Sequence, residues 1–233
     1  MSDDDESNDL DGRAEGSSAL AESGVAEKHI GRRAFLALLA AGFLALFVGW
    51  DRIPRLPAGI DLQGFSINSV APAPKFDPAT WRLKVDGLVR EPLGLSFDDF
   101  TTLPRTERTR DFQCVEGWVV NGVRWAGVSL SDLMSKVGVD PSATHLVFYS
   151  GDGVYTDSLT LQEAARPDVL LAHLLNGELL TEAHGRPLRL IVPGDFGYKY
   201  VKWVVRVQAI AAGPAGYAGY WEKGGYPQDA TIR

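Results

Sequence analysis

Arg110-Asp-Phe-Gln-Cys-Val-Glu-Gly-Trp118 holds the one cysteine of a chain of 233 residues. It lies downstream of a segment with the form of an export signal, and a lone cysteine in an exported protein has no internal disulfide partner. By residue type alone, Cys114 is either a small buried hydrophobe or a thiol that does chemistry. The residues around it have to decide between the two.

The export segment begins at Gly31-Arg-Arg-Ala34, where two adjacent arginines precede an uncharged apolar run that ends at Trp50. That is the form of a twin-arginine signal. The run from Ala34 to Trp50 is 17 residues long, at the lower edge of the roughly 17–25 that span a bilayer as a helix. No small-x-small cleavage site followed by a polar start is seen, so an uncleaved membrane anchor is expected through 34–50, with a cleaved signal as the alternative. The expected location is the extracytoplasmic face of the cell membrane. Residues 1–31 carry nine acids against Arg13 and Lys28, a composition that favours a solvated, disordered tail. The other 21 basic and 21 acidic residues balance, which leaves no basic patch for nucleic acid.

Five prolines between residues 51 and 80 mark a connecting arm, with 51–64 read as linker and 65–233 as one folded domain. About 170–180 residues suffice for one substantial core and are short for two. Trp81–Val85 alternates like a strand and runs into a turn at Asp86-Gly87, with Leu88-Val89 continuing. Strands are also expected at His145–Tyr149, Leu188–Val192 and Tyr200–Val207, the last with Val201, Trp203, Val205 and Val207 on one face. Ser96–Phe100 and Ser129–Lys136 have the form of short capped helices, the second stopped by Gly138. Short strands, short helices and glycine turns predict a β-rich, mixed α+β domain.

Specific residues carry the reading further. Asp111–Trp118, Val123-Arg-Trp-Ala-Gly-Val128, Ser150-Gly-Asp-Gly153, His184-Gly-Arg-Pro-Leu-Arg189, Val192-Pro-Gly194, Tyr198-Lys-Tyr-Val-Lys-Trp203 and Gly219-Tyr-Trp-Glu222 occur in that order. Together they resemble the sulfite oxidase family of molybdopterin-dependent oxidoreductases, and within it the exported methionine sulfoxide reductase catalytic-subunit type. The resemblance runs from about Phe65 to Tyr226 and implies the sulfite-oxidase-type molybdopterin-binding fold in a single domain.

The resemblance implies that Cys114 is the one protein ligand to molybdenum, the remaining sulfurs being those of the pterin dithiolene. A soft thiolate suits a sulfur-rich metal site, and the metal keeps it deprotonated. The resemblance further implies Arg189 and Lys202 at the pterin phosphate, His184 and Asn68 as hydrogen-bonding partners, Ser150 near the ring system, and backbone contacts from Tyr200 and Val201. Arg supplies a planar fork for phosphate oxygens and Lys a point charge. Each of these residues also has a plain structural reading, as a strand, turn or capping residue.

The chain departs from the sulfite oxidases at three places. Ile67 stands where they place an arginine, Glu116-Gly-Trp-Val-Val120 where an arginine pair follows the cysteine, and His173 where a tyrosine stands. Arginines and a tyrosine are what hold a small oxyanion, so their loss points away from sulfite and toward reduction of an S-oxide or similar small-molecule oxide. His173 is either a substrate-facing residue or an ordinary strand or helix histidine. Neither a haem-attachment motif nor a cysteine cluster occurs, so electrons are expected from a separate chain, a membrane haem subunit being the natural form. The alternatives are a sulfite-oxidising enzyme of the same family, a cofactor-free membrane-tethered interaction module, and a cysteine hydrolase pairing Cys114 with His173 or His184, for which no nucleophile motif exists.

Overall fold

Two five-stranded sheets and four short helices form among residues 61 and 63–233, which are the residues described by a computed structural model of the chain. In chain order the elements are β1 (Leu83–Gly87), β2 (Leu93–Leu95), α1 (Phe97–Thr101), β3 (Arg105–Gln113), β4 (Val119–Ser129), α2 (Leu130–Val137), β5 (His145–Ser150), β6 (Thr156–Thr160), α3 (Leu161–Ala164), β7 (Leu170–Leu175), β8 (Glu178–Leu179), β9 (Arg189–Ile191), β10 (Val204–Ile210) and α4 (Tyr220–Lys223). The tail, the arginine pair and the 34–50 segment lie outside the described residues. No described helix is long and apolar enough to cross a membrane.

The first sheet has the order β2-β1-β10-β5-β6, with β1 and β10 parallel and the other pairs antiparallel. In the second, β3-β4-β7-β8 are antiparallel and β9 also pairs with β7. Strands covered on both sides read as continuous apolar runs: Leu146, Val147 and Phe148 of β5 and Leu170, Leu171 and Ala172 of β7 are all buried. The core they build also takes in Leu83, Trp125, Leu159, Val204 and Val207. A β-rich, mixed α+β domain is what the sequence predicts, and it is what forms.

Two of the local signals behave as their chemistry requires, while Ser129, expected to cap the second helix, makes no side-chain capping bond. Ser96 caps α1 with Asp99 in a reciprocal capping box, and α2 stops at Gly138, whose φ of +63° is the left-handed conformation glycine adopts cheaply. Residues 88 and 89 do not continue a strand; Val89 makes only an isolated bridge to Val139. The strand expected at Tyr200–Val207 forms as Val204–Ile210 instead. Trp203 adopts φ of +54°, which no strand residue does, and the ladder is irregular between Val204 and Arg206. Val205 is accordingly only half-buried. β3 has no counterpart in the sequence reading. It is a sheet edge whose residues are mostly exposed, so Arg105-Thr-Glu-Arg-Thr-Arg110 shows no apolar alternation.

Candidate active site

Cys114 sits in the turn that joins β3 to β4. Its N–H donates to Trp118 O (3.0 Å) and its carbonyl accepts from Gly117 N (3.0 Å), closing a tight loop with Gly117 at φ of +96°. Below the loop, the Phe112 ring lies 5.4 Å from Trp118 and 5.3 Å from Phe65, so the thiol is mounted on a packed aromatic base. The Glu116 carboxylate gathers three donors at one oxygen: Trp118 Nε1 at 3.1 Å, Asn68 Nδ2 at 3.0 Å and the Cys114 thiol at 3.8 Å. Trp118 and Asn68 hold that carboxyl below its ordinary range. Burial, joined by the Glu116 charge, pushes the Cys114 thiol up. A metal cation reverses that order by favouring the thiolate.

The thiol opens into a cleft of about 480 Å³ lined also by Asn68, Ser150, His184, Arg189, Tyr200 and Lys202. Seven of the eight residues expected from the sequence therefore converge on one space. Val201 does not: it is fully buried, its N–H donates to Lys199 O and its carbonyl accepts from Leu190 N. Its N–H and one carbonyl bond are thus used within the fold. His173 is also elsewhere, buried on β7 with Phe97 and Phe100 around it at ring distances of 6.3 and 6.0 Å. Burial holds it neutral, and it belongs to the core rather than to the cleft.

The electrostatics of the cleft are unusual. Arg189 is only 6% exposed and, among the described residues, pairs with no carboxylate. Its guanidinium stands 5.2, 5.4 and 5.9 Å from the Phe112, Trp125 and Tyr200 rings, donates one long bond (3.4 Å) to His184 O, and leaves Nε without a partner. Burial pulls its pKa down to about 10. Lys202 Nζ donates only to neutral oxygens, Asn68 O and Ser69 Oγ at 2.7 Å and Ala183 O at 3.2 Å. Burial and then the Arg189 charge bring it down to about 7. Asp152 offsets this only in part and from a distance, and two cations brought together with no salt bridge among the described residues are costly unless an anion joins them. The left-handed Trp203 follows Lys202 directly, and backbone strain of this kind clusters at functional sites.

His184 bonds through Nε2 to Asp61 Oδ2 at 2.5 Å, while its buried Nδ1 has no partner. Burial and the Arg189 charge lower its pKa, so the ring is neutral. Asp61 falls in the stretch read as linker, yet it also accepts from the N–H groups of Gln63 and Phe65 and orients a cleft residue. No local pattern singles it out. Other cleft residues were within reach: Glu116, Tyr198, Tyr220 and Trp221 all lie inside the quoted motifs and line the cleft beside Asp152, Tyr155 and Tyr226.

Behind the aromatic part of the cleft, Lys199 Nζ lies 2.7 Å from Asp157 Oδ1 and 2.6 Å from Glu222 Oε1, with all three side chains at most 3% exposed. One cation thus serves two buried carboxylates, and each carboxylate keeps one oxygen without a partner.

Residues 70–218 match a family model described as the oxidoreductase molybdopterin-binding domain. The chain is 34% identical over 178 residues to the Bacillus subtilis oxidoreductase YuiH, covering 76% of this chain and 88% of that protein. It is 34% identical over 152 residues to the protein-methionine-sulfoxide reductase catalytic subunit MsrP of Gluconobacter oxydans, covering 58% of this chain and 48% of the relative. With sulfite oxidase of Arabidopsis thaliana it shares 32% identity over 172 residues, covering 59% and 44%. The chain therefore spans about half the length of these last two relatives. Among solved structures it resembles the sulfane dehydrogenase SoxCD of Paracoccus pantotrophus, with a TM-score of 0.57 at 31% identity, covering 60% of this chain and 40% of that one.

Proposed function

Because the chain belongs to the family of oxidoreductases with a molybdopterin-binding domain, we propose that it reduces an S-oxide or similar small oxide by two-electron oxygen-atom transfer, with Cys114 as the protein ligand to molybdenum. The observation that carries this reading is the meeting, in one cleft, of the only cysteine with two cations, the buried Arg189 and the half-buried Lys202, that make no salt bridge among the described residues. The donor set fits a molybdenum–molybdopterin cofactor: a soft thiol for the metal, the unpartnered Arg189 Nε and the charge of Lys202 for the phosphate, and the unpartnered His184 Nδ1 as a hydrogen-bond acceptor. When bound, that cofactor supplies the two-electron redox change and the exchange of the oxygen atom.

The chain's own residues bind and orient. Arg189, held by three aromatic rings, meets the phosphate without losing side-chain freedom, and Lys202 adds a point charge fixed by three oxygens. Asp61 fixes the His184 tautomer by accepting from Nε2–H, which leaves Nδ1 to accept. Asn68 is held near the thiol through Glu116.

Reduction of an uncharged oxide fits this cleft better than oxidation of sulfite. Among the described residues its only lysine or arginine side chains are Arg189 and Lys202, both engaged by the phosphate in this reading, while Glu116 places a carboxylate beside the thiol. Ile67 lines the cleft without charge. Electrons come from a separate redox protein, a membrane haem subunit in the simplest arrangement. The twin-arginine segment exports the folded enzyme and anchors it through 34–50.

Metal and pterin analysis of protein produced with cytoplasmic cofactor synthesis tests the cofactor assignment: wild type carries molybdenum near one per chain, and Cys114→Ser carries little. Substrate class is tested by oxidation of a reduced dye with S-oxides and N-oxides against reduction of a dye by sulfite. Faster sulfite turnover would overturn the direction, and a wild type without molybdenum would overturn the whole reading. Replacing Arg32 and Arg33 together with lysine should leave the enzyme in the cytoplasm, read by fractionation.

A further inference from the structure

Five aromatic side chains run continuously along one part of the cleft. Tyr155 stacks on Tyr220 at 5.7 Å, Tyr220 meets Trp221 at 5.2 Å, Trp221 meets Tyr226 at 5.1 Å, and Tyr226 meets Tyr198 at 5.3 Å. All five line the cleft that Cys114 lines. The hydroxyls of Tyr155 and Tyr198 donate to the carbonyls of Tyr198 and Pro227, so these two residues offer ring surface rather than donors to an anion.

The wall is buried at one end, where Tyr198 is 8% exposed, and open at the other, at Tyr220. Arg189, His184 and Ser150 are at most 6% exposed, which suits a group that stays in place. Tyr220 is 37% exposed, and Val115, next to Cys114, is 42% exposed and lines the same cleft. An apolar wall open at one end suits a molecule that enters and leaves. No cation of the wall faces an incoming anion, because Lys199 is already shared by Asp157 and Glu222.

The wall is also held still. Tyr220 and Trp221 belong to α4, only four residues long and unable to hold itself as an isolated helix. Glu222, in the same turn, is buried on Lys199, and Gly219 packs so closely on β6 that a Cβ would lie 2.5 Å from Thr156 O. A wall fixed in advance binds flat apolar groups without an ordering cost.

We infer that Tyr220 and Trp221, with Tyr155 and Tyr226 beside them, form a substrate subsite that selects uncharged S-oxides bearing a flat apolar substituent. This rests on the reading of the protein as an oxide reductase and adds the substituent that the site prefers. The test uses molybdenum-loaded holoenzyme, with methyl phenyl sulfoxide and dimethyl sulfoxide as probes. Binding is followed by calorimetry and turnover by oxidation of a reduced dye. Wild type should bind the phenyl compound at least tenfold more tightly, and Tyr220→Ala should cut that preference about tenfold, of the size aromatic contacts carry. Trp221→Leu should do the same, which guards against one variant that folds poorly.

Equal loss of affinity for both probes, or no preference in wild type, would overturn the subsite. Loss of molybdenum in Tyr220→Ala at unchanged melting temperature would assign the wall to the cofactor and overturn it as well. Absence of turnover of either sulfoxide by wild type would overturn the proposed reaction instead, and the binding ratio would still decide the subsite.

Discussion

The Arg189 guanidinium lies 5.2 Å from the centre of the Phe112 ring, and Phe112 stands two residues before Cys114. The cation, on β9, thereby packs against the β3–β4 hairpin that carries the thiol, so that whatever bridges them is held by two elements in contact. Ring faces offset part of the cost of burying the charge, but three aromatic contacts do not replace a counter-anion.

Replacing Arg189 should consequently separate stability from function. Arg189→Met removes a buried, unpaired cation, so the cofactor-free protein should gain on the order of 1–3 kcal/mol and melt several degrees higher. The same change should lower pterin and molybdenum content at least tenfold. Thermal melts of cofactor-free protein and metal analysis of loaded protein read the two effects. A lower melting temperature would mean that Arg189 is a structural residue.

Lys202 makes stability depend on pH in a direction fixed by its depressed pKa. In the folded, cofactor-free protein its pKa lies at about 7, against an ordinary lysine value in the unfolded chain, because of burial and the neighbouring Arg189. Between these values the unfolded chain binds more protons, so stability rises with pH. The cost of the buried charge is present in full below pH 7 and vanishes once both states are neutral. Lys202→Met should therefore melt above wild type at pH 6, with the gap closing toward pH 10. Cofactor loading should abolish the gap by supplying the missing anion.

The buried cluster behind α4 makes an ordered prediction. Lys199→Met leaves Asp157 and Glu222 facing each other without a cation and should cost about 3–5 kcal/mol. Glu222→Gln leaves a one-to-one Lys199–Asp157 pair and should be nearly neutral. Burial, with Glu222 adding to it, pushes the Asp157 carboxyl upward despite Lys199. A raised carboxyl destabilises the fold as pH climbs from acid toward neutrality, where the unfolded chain would already be ionised. Glu222→Gln should flatten that fall, read from melting temperatures between pH 5 and 8.

The cleft was legible from the sequence where motifs carried chemistry and opaque where position alone did. Cys114, Arg189 and Lys202 stand in short strings that narrow their role. Asp61 has no such string, because its function arises from a contact with His184, 123 residues away. Val201 was expected at the cleft only through the family resemblance, and the fold engages its backbone with Lys199 and Leu190. His173 stood out as a departure from the sulfite oxidases, with an ordinary strand histidine as the alternative, and the fold buries it among phenylalanines. β3 escaped because an edge strand exposed on both faces need not alternate.

The turn that presents Cys114 can be tested through its glycine. Gly117 at φ of +96° and Gly122 at +64° both have open space where a Cβ would stand, so alanine at either meets only backbone strain. Each substitution should cost about 1–2 kcal/mol. Only Gly117 closes the loop whose carbonyl partner is Cys114. Strain there displaces the sulfur relative to Arg189, while Gly122, on β4, does not line the cleft. Gly117→Ala should thus lose most of its molybdenum, and Gly122→Ala should keep it at a similar melting temperature. Equal loss of metal in both would mean that the hairpin as a whole, rather than the placement of the thiol, governs loading.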